Sequence, residues 1–220
     1  MSRDWIKIYE EKGALWIHDG NPSRPHALLT SGRHSNGFFN SNLVMEDPLL
    51  MDRACADLLK CLRRSGLDIE RIDRVVGPAM GAITVAHDLA RHISRKRLRP
   101  CMCAYTEKFT TADQANNMFF KRTKLRPGES ILLVEDVLTT GNSLELAAAA
   151  VTLQQGIVGP LVGVLVNRSG LEQLNDRKII ALIDHPMPMW KPEDCPLCKQ
   201  GSDAIRPKGT ENWARLNVDY

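Results

Sequence analysis

Residues 131–143 read ILLVEDVLTTGNS: an apolar run, two adjacent carboxylates in Glu135 and Asp136, then Thr139, Thr140, Gly141, Asn142 and Ser143. This order suits a strand-to-helix turn. A helix start offers unpaired N–H groups and partial positive charge. Gly141 lets the backbone come close to a ligand, and three hydroxyls add donors. Together they match a phosphate dianion. The carboxylates upstream would repel a phosphate. They can accept hydrogen bonds from a diol, and one can reach a metal ion through water. A diol and a phosphate side by side describe a ribose 5-phosphate. A plain helix cap, with Ser143 as N-cap and Glu145 in the first turn, would account for the serine. It would not account for two acids at the end of an apolar strand, where desolvation is costly without a partner.

The elements that must position these residues alternate. DPLLMDRACADLLKCLRRSG predicts a helix, capped by Asp47, with Pro48 in its first turn and Gly66 at its end. Leu50, Ala54, Leu58 and Leu62 recur on one face, with Cys55 and Cys61 close to it. A strand over 72–76 runs into the loop GPAMGA, and ITVAHDLARHIS follows as a helix. CMCAYTEK predicts a strand over 101–105, with Cys101 and Cys103 alternating as core residues. ESILLVEDVL has the near-continuous apolar run of a central parallel strand. SLELAAAAVTLQQG predicts a helix closed by Gly156, and LVGVLVNRSG and IIALID are further strands. Alternating strands and helices imply an α/β fold with a parallel sheet. In such sheets ligands bind outside the carboxyl ends of the strands. Three loops fall there: GPAMGA, TEK and the 139–143 turn. Residues 1–46 and the Pro-, Lys- and Gly-rich tail 185–220 lie outside the alternating pattern.

Composition sets the bounds. The chain has 220 residues, 43% hydrophobic and 25% charged, enough for one domain with an added lobe. A net charge of +3 is too small to argue for nucleic acid, and no apolar run approaches a membrane span. The N-terminus MSRDWIKIYEEKG carries acids and has no apolar stretch of a secretory signal. Its 6 cysteines therefore read as reduced thiols of a cytoplasmic protein.

The motif at 131–143 resembles the phosphoribosyl-diphosphate signature of the type I phosphoribosyltransferases. LLTSGRHSNGFFNSN resembles the N-terminal segment of the orotate phosphoribosyltransferases within that group. VVGPAMGAI is similar to their pyrophosphate loop, VNRSG to the strand end whose arginine meets the orotate carboxylate, and WKPEDCPLCKQGSDAIRPKG to tails of one bacterial branch. The likeness runs from about Leu28 to Gly209. It implies a type I phosphoribosyltransferase fold: a central, mostly parallel sheet flanked by helices, with a small hood formed by residues 1–46 and the extension 185–220 as a second candidate for it. It also implies transfer of phosphoribosyl from phosphoribosyl diphosphate to orotate. By residue, it assigns Glu135 and Asp136 to the ribose hydroxyls and Thr139, Thr140, Gly141, Asn142 and Ser143 to the 5-phosphate. Ala79, Met80 and Gly81 fall to the pyrophosphate. Phe38, Phe39, Thr139 and Arg168 fall to orotate, and Lys108 and Asp136 to catalysis. Mg2+ is expected on the pyrophosphate, with no direct protein ligand assigned and a water-mediated route to Asp136 open. A homodimer is expected, with no nucleic-acid or membrane partner. A flat anionic pyrimidine independently wants an aromatic wall and a planar cation.

The family closes its site with a loop rich in cations. Here TEKFTTADQANNMFFKR offers Lys108, then Thr110, Thr111, Asp113 and Gln114; Lys121 and Arg122 come later and read as part of the next strand. Thr30 stands where many members carry lysine, and Asn142 where a second glycine is common; Asn tolerates left-handed backbone. Two alternatives stay open on these grounds: a phosphoribosyltransferase for another base, and a non-catalytic sensor on the same fold. The basic run RHISRKRLRP reads as a solvated helix end suited to the C-terminal dipole rather than a nucleic-acid patch. Cys195 and Cys198 in CPLC have metal-ligand spacing, but they are half a zinc site, and nothing near them in sequence supplies the other half. His34, in the Ser-Gly-Arg turn, is placed near the ligand, and His185 reads as structural.

Overall fold

A computed structural model describes residues 4–110 and 116–220. The chain divides into two compact units, one from Met1–Glu46 with Pro186–Tyr220, the other Asp47–His185. The N-terminal part of the first unit contains α1 (Trp5–Glu11), β1 (Leu15–Ile17), β2 (His26–Leu28), β3 (His34–Ser35), β4 (Gly37–Phe39) and α2 (Asn42–Met45). The second unit follows with α3 (Pro48–Arg64), β5 (Arg74–Pro78), α4 (Ala82–Arg97), β6 (Met102–Thr110), β7 (Asn116–Phe119), β8 (Ser130–Leu138), α5 (Asn142–Leu153), β9 (Ile157–Asn167), β10 (Gln173–Leu174) and β11 (Arg177–Asp184). The tail returns to the first unit with α6 (Pro196–Lys199), β12 (Ala204–Ile205) and α7 (Thr210–Asn217).

The second unit is a seven-stranded sheet in the order β10-β11-β9-β8-β5-β6-β7. Its five inner strands are parallel, and β7 and β10 close the edges as antiparallel hairpins. β8 lies between β9 and β5, as its apolar run predicts: Ile131, Leu132, Leu133 and Val134 are all at most 1% exposed. A strand covered on both faces has no solvent side to alternate with. α3 begins as expected, with the Asp47 carboxylate accepting from the N–H groups of Leu49 and Leu50. It ends where Gly66 takes φ +99°, the Leu67 N–H donating to the Leu62 carbonyl and Gly66 to Arg63. The buried face is Met51, Ala54, Cys55, Leu58, Leu59 and Leu62; Leu50 lies at its margin.

Several local expectations change. The plain-cap alternative with Ser143 does not form: Gly141 is the N-cap, at φ +82°, and Asn142 is already helical, so the left-handed position falls on the glycine. Gln155, at φ +60°, turns the chain out of that helix rather than Gly156. Cys103 is exposed while Cys101 is buried, so the pair is not a shared core stripe. The strand expected over 101–105 extends to Thr110 and folds back through β7, which sequence patterning missed. Lys121 and Arg122 belong to no strand; both approach the Glu107 carboxylate, at 3.9 Å and 3.2 Å. Thr111, Asp113 and Gln114, the polar substitutes for the family's cations, lie outside the described residues. The basic run ends α4, where Arg97 donates to the carbonyls of Ile69 and Ile72 at 3.0 Å and 2.5 Å. Those arginine bonds make it a tethered helix end. Among the described residues no helix is long and apolar enough to cross a membrane.

The first unit is built from both chain ends. β1 pairs with β4, and β12 runs parallel to β2, which pairs with β3. One apolar cluster within it gathers Trp16, Ala27, Leu29 and Leu216, all buried.

Candidate active site

Glu135 and Asp136 sit near the carboxyl end of the central strand β8. Glu135 is 7% exposed and Asp136 half-buried, so the two acids face different surroundings. The next loop at the same sheet edge is Ala79–Gly81, between β5 and α4. Ala79 donates its N–H to the Thr106 carbonyl of β6 at 2.7 Å, which ties the loop to the neighbouring strand. Gly77 turns tightly into it: a Cβ there would lie 2.7 Å from Ala82. The Ala79–Met80 peptide is cis, and Met80 is 81% exposed at the loop tip. The decisive contact is at Gly81, where a Cβ would stand 2.5 Å from Asp136 Oδ2. The Asp136 carboxylate therefore rests against the backbone of the 79–81 loop. Two stretches separated by more than fifty residues in the sequence form one edge of a site.

The 139–143 turn is braced from the other side. Gly141 packs against Leu174 of β10, with no room for a side chain. One turn into α5, Glu145 accepts from Asn175 at 2.6 Å and Arg177 at 2.7 Å. Glu145, in the first turn of α5, is thus spent on the β10–β11 hairpin. The N-cap Gly141 has no side chain to cap α5, and among the described residues its first N–H groups are left to an anion. Arg168 follows β9 and donates its backbone N–H to Leu138 at 3.1 Å, placing it beside Thr139. Its side chain is 1% exposed, and burial pushes its pKa down to about 10, still protonated at neutral pH. Lys108 lies exposed on β6, opposite Met118 of β7.

These residues all belong to the second unit. A phosphoribosyl transferase domain family matches residues 46–155, the stretch that holds both loops and β8. The orotate phosphoribosyltransferase of Pelotomaculum thermopropionicum is 36% identical over 94% of this chain and 97% of its own. That of Desulforamulus reducens is 34% identical over 92% of this chain and 94% of its own. The chain belongs to the orotate phosphoribosyltransferase family. Among solved structures, the Aeropyrum pernix orotate phosphoribosyltransferase superposes with a TM-score of 0.59 at 24% identity, covering 81% of this chain and 92% of that one. That likeness supports the type I phosphoribosyltransferase fold. In this orotate phosphoribosyltransferase family member, the 135–143 motif, the 79–81 loop and Arg168 stand at the carboxyl ends of the sheet strands.

The aromatic pair lies in the first unit. Phe39 is 2% exposed and meets Tyr9 edge-on at 5.6 Å, whereas Phe38 is half-buried and packs on Trp213 at 5.9 Å. Successive strand residues point to opposite faces, so the two rings do not form one wall. His34 points into a cluster with His26, Cys195 and Cys198, whose ligand atoms lie within 4.8 Å of one another. β2 and β3, at the other end of the chain, thus bring two imidazoles to the CPLC pair. No spacing rule could have joined them to CPLC.

Proposed function

We propose that the chain is an orotate phosphoribosyltransferase, moving the 5-phosphoribosyl group from phosphoribosyl diphosphate to orotate with release of pyrophosphate. The observation that carries this reading is the Asp136 carboxylate resting on the Gly81 backbone. It sets a diol acceptor beside the backbone of the 79–81 loop, with the α5 N-terminus next along the edge. The α5 N–H groups and the hydroxyls of Thr139, Thr140 and Ser143 hold the 5-phosphate. Glu135 and Asp136 hold the ribose hydroxyls. Ala79, Met80 and Gly81 face the pyrophosphate, and Lys108 neutralises it as it leaves. The ring nitrogen of orotate forms the new bond to the anomeric carbon as the C–O bond to pyrophosphate breaks, its electron pair leaving on pyrophosphate. The protein's part is positioning and charge stabilisation, with no covalent nucleophile. Oxygen donors at a half-exposed carboxylate beside the pyrophosphate loop suit a hydrated Mg2+, which when bound would offset pyrophosphate charge. Asp136 would hold it through water. Phe38, Phe39 and Arg168 complete the orotate site; this assignment rests on the resemblance. A homodimer in the cytoplasm, and residues 1–46 acting as a hood, also follow from the family.

The test is Mg-dependent pyrophosphate release with orotate, beside Lys108→Ala and Arg168→Lys. Lys108→Ala should lower kcat by roughly 100-fold. Arg168→Lys keeps the charge but loses the planar fork, and should raise KM for orotate roughly 10–100-fold. Wild-type kinetics in both variants would remove those roles. Donor binding without orotate turnover would remove the reaction.

A further inference from the structure

Four side chains in the first unit meet with no part in the transfer chemistry. His26 is fully buried on β2, and His34, eight residues on, is 7% exposed on β3. Cys195 is fully buried and Cys198 exposed, at the two ends of CPLC. His26 Nε2 lies 2.9 Å from His34 Nδ1 and 3.5 Å from each sulfur, and Cys198 Sγ lies 3.2 Å from His34 Nδ1. Tetrahedral Zn2+ with its usual bond lengths would separate its ligands by about 3.3 Å (N to N), 3.5 Å (N to S) and 3.8 Å (S to S). Four of the six edges match these lengths or fall slightly short of them, and all four atoms lie within 4.8 Å of one another.

The outer contacts point the same way. Ser202 Oγ donates to the Arg24 carbonyl at 2.6 Å, so toward His26 Nδ1, 2.8 Å away, it can only accept. His26 therefore carries its proton on Nδ1 and presents a bare Nε2 lone pair to the cluster. Three other groups converge on that one lone pair. Hydrogen bonding can satisfy one of them; a cation at the centre satisfies all four. An orienting partner on the far ring nitrogen is what a metal-bound histidine usually has. The backbone holds the ligands in place: His34 and Trp190 exchange N–H to carbonyl bonds, both at 2.9 Å, and β12 pairs with β2.

The geometry points to a structural Zn2+ site made by His26, His34, Cys195 and Cys198, which ties the C-terminal tail to the N-terminal segment. Two thiolates and two neutral imidazoles balance the ion's charge and leave no open position for substrate, so the site is structural rather than catalytic. A unit assembled from two chain ends, residues 1–46 and 186–220, is the kind of fold that gains from a metal staple. Exposed Cys198 gives the ion an entry path.

The test uses the full chain purified without a metal-affinity tag. Elemental analysis should find one zinc per chain. After removal by chelator, Co2+ should restore one equivalent with the strong visible bands and near-ultraviolet thiolate charge transfer of a tetrahedral sulfur–nitrogen site. Cys198→Ser, at the exposed ligand, should weaken the thiolate band, since Cys195 remains, and bind at least 10-fold more weakly. Stripping zinc from wild type should lower the thermal midpoint by roughly 10 °C, and Zn2+ should restore it. Absence of stoichiometric zinc together with a weak octahedral Co2+ spectrum would overturn the proposal. So would wild-type metal affinity in Cys198→Ser. These readouts are independent of orotate turnover.

Discussion

At Phe38 and Phe39 the two-residue period of a strand separates side chains that the sequence presents as a pair. Phe39 points into the core against Tyr9, and Phe38 keeps exposed surface beside Trp213. Phe39→Ala should cost about 3–5 kcal/mol by leaving a cavity, and lower the thermal midpoint. Phe38→Ala should leave the midpoint nearly unchanged and raise KM for orotate roughly 10-fold, the scale of one lost base–aromatic stack. Melting curves and orotate kinetics on both variants check this; the reverse pattern would exchange the two roles. Resemblance named both residues, and only burial tells them apart. Arg168 is a similar case. Its identity was legible from VNRSG, whereas its 1% exposure came only with packing.

At the scale of elements, the site depends on how closely the β5–α4 loop and β8 approach. Gly81→Ala would force a methyl group to within 2.5 Å of Asp136 Oδ2, so either the loop or the carboxylate must move. Phosphoribosyl diphosphate affinity should fall by at least 10-fold, with the fold retained. Gly159→Ala, whose Cβ would meet only Ile131 O at 3.4 Å, is the matched control. Equilibrium binding on the two variants decides it, and equal affinities would remove the loop–carboxylate contact from the donor site. The strand–helix alternation from 47 to 185 was readable because each element carries its own period. β7 was not readable: Asn116-Asn117-Met118-Phe119 is short, begins with two residues poor in strand propensity, and shows no alternation. Its pairing with β6 is a long-range event. Asn142 stands where a second glycine is common and tolerates left-handed backbone, but the turn places that conformation one residue earlier, on Gly141.

At the scale of the whole molecule, the sheet carries a charge pair at the end opposite the site. Arg74 grips Glu129 through two bonds, at 3.0 Å and 3.2 Å, and Glu129 is 4% exposed. Burial pushes the Glu129 carboxyl up, but the bonds from Arg74 and Arg126 more than offset this and hold its pKa below the ordinary 4.5. A depressed carboxylate stabilises the fold fully above its unfolded pKa and loses that contribution as pH falls through the lower folded one. Glu129→Gln should therefore destabilise the protein at pH 7, by about 3–5 kcal/mol if Arg74 is left uncompensated, and flatten the loss of stability below about pH 4.5. Denaturant melts from pH 3 to 7 measure both, and an unchanged acid limb would remove Glu129 from the account. By itself the sequence determined the donor chemistry and the α/β alternation, because the 131–143 motif is contiguous and helix and strand periods are local. Only the tertiary structure decided what joins distant segments. It set Gly81 against Asp136, separated Phe38 from Phe39, and brought His26 and His34 to Cys195 and Cys198 across most of the chain. Such encounters depend on how elements pack in space, and spacing along the chain does not encode them.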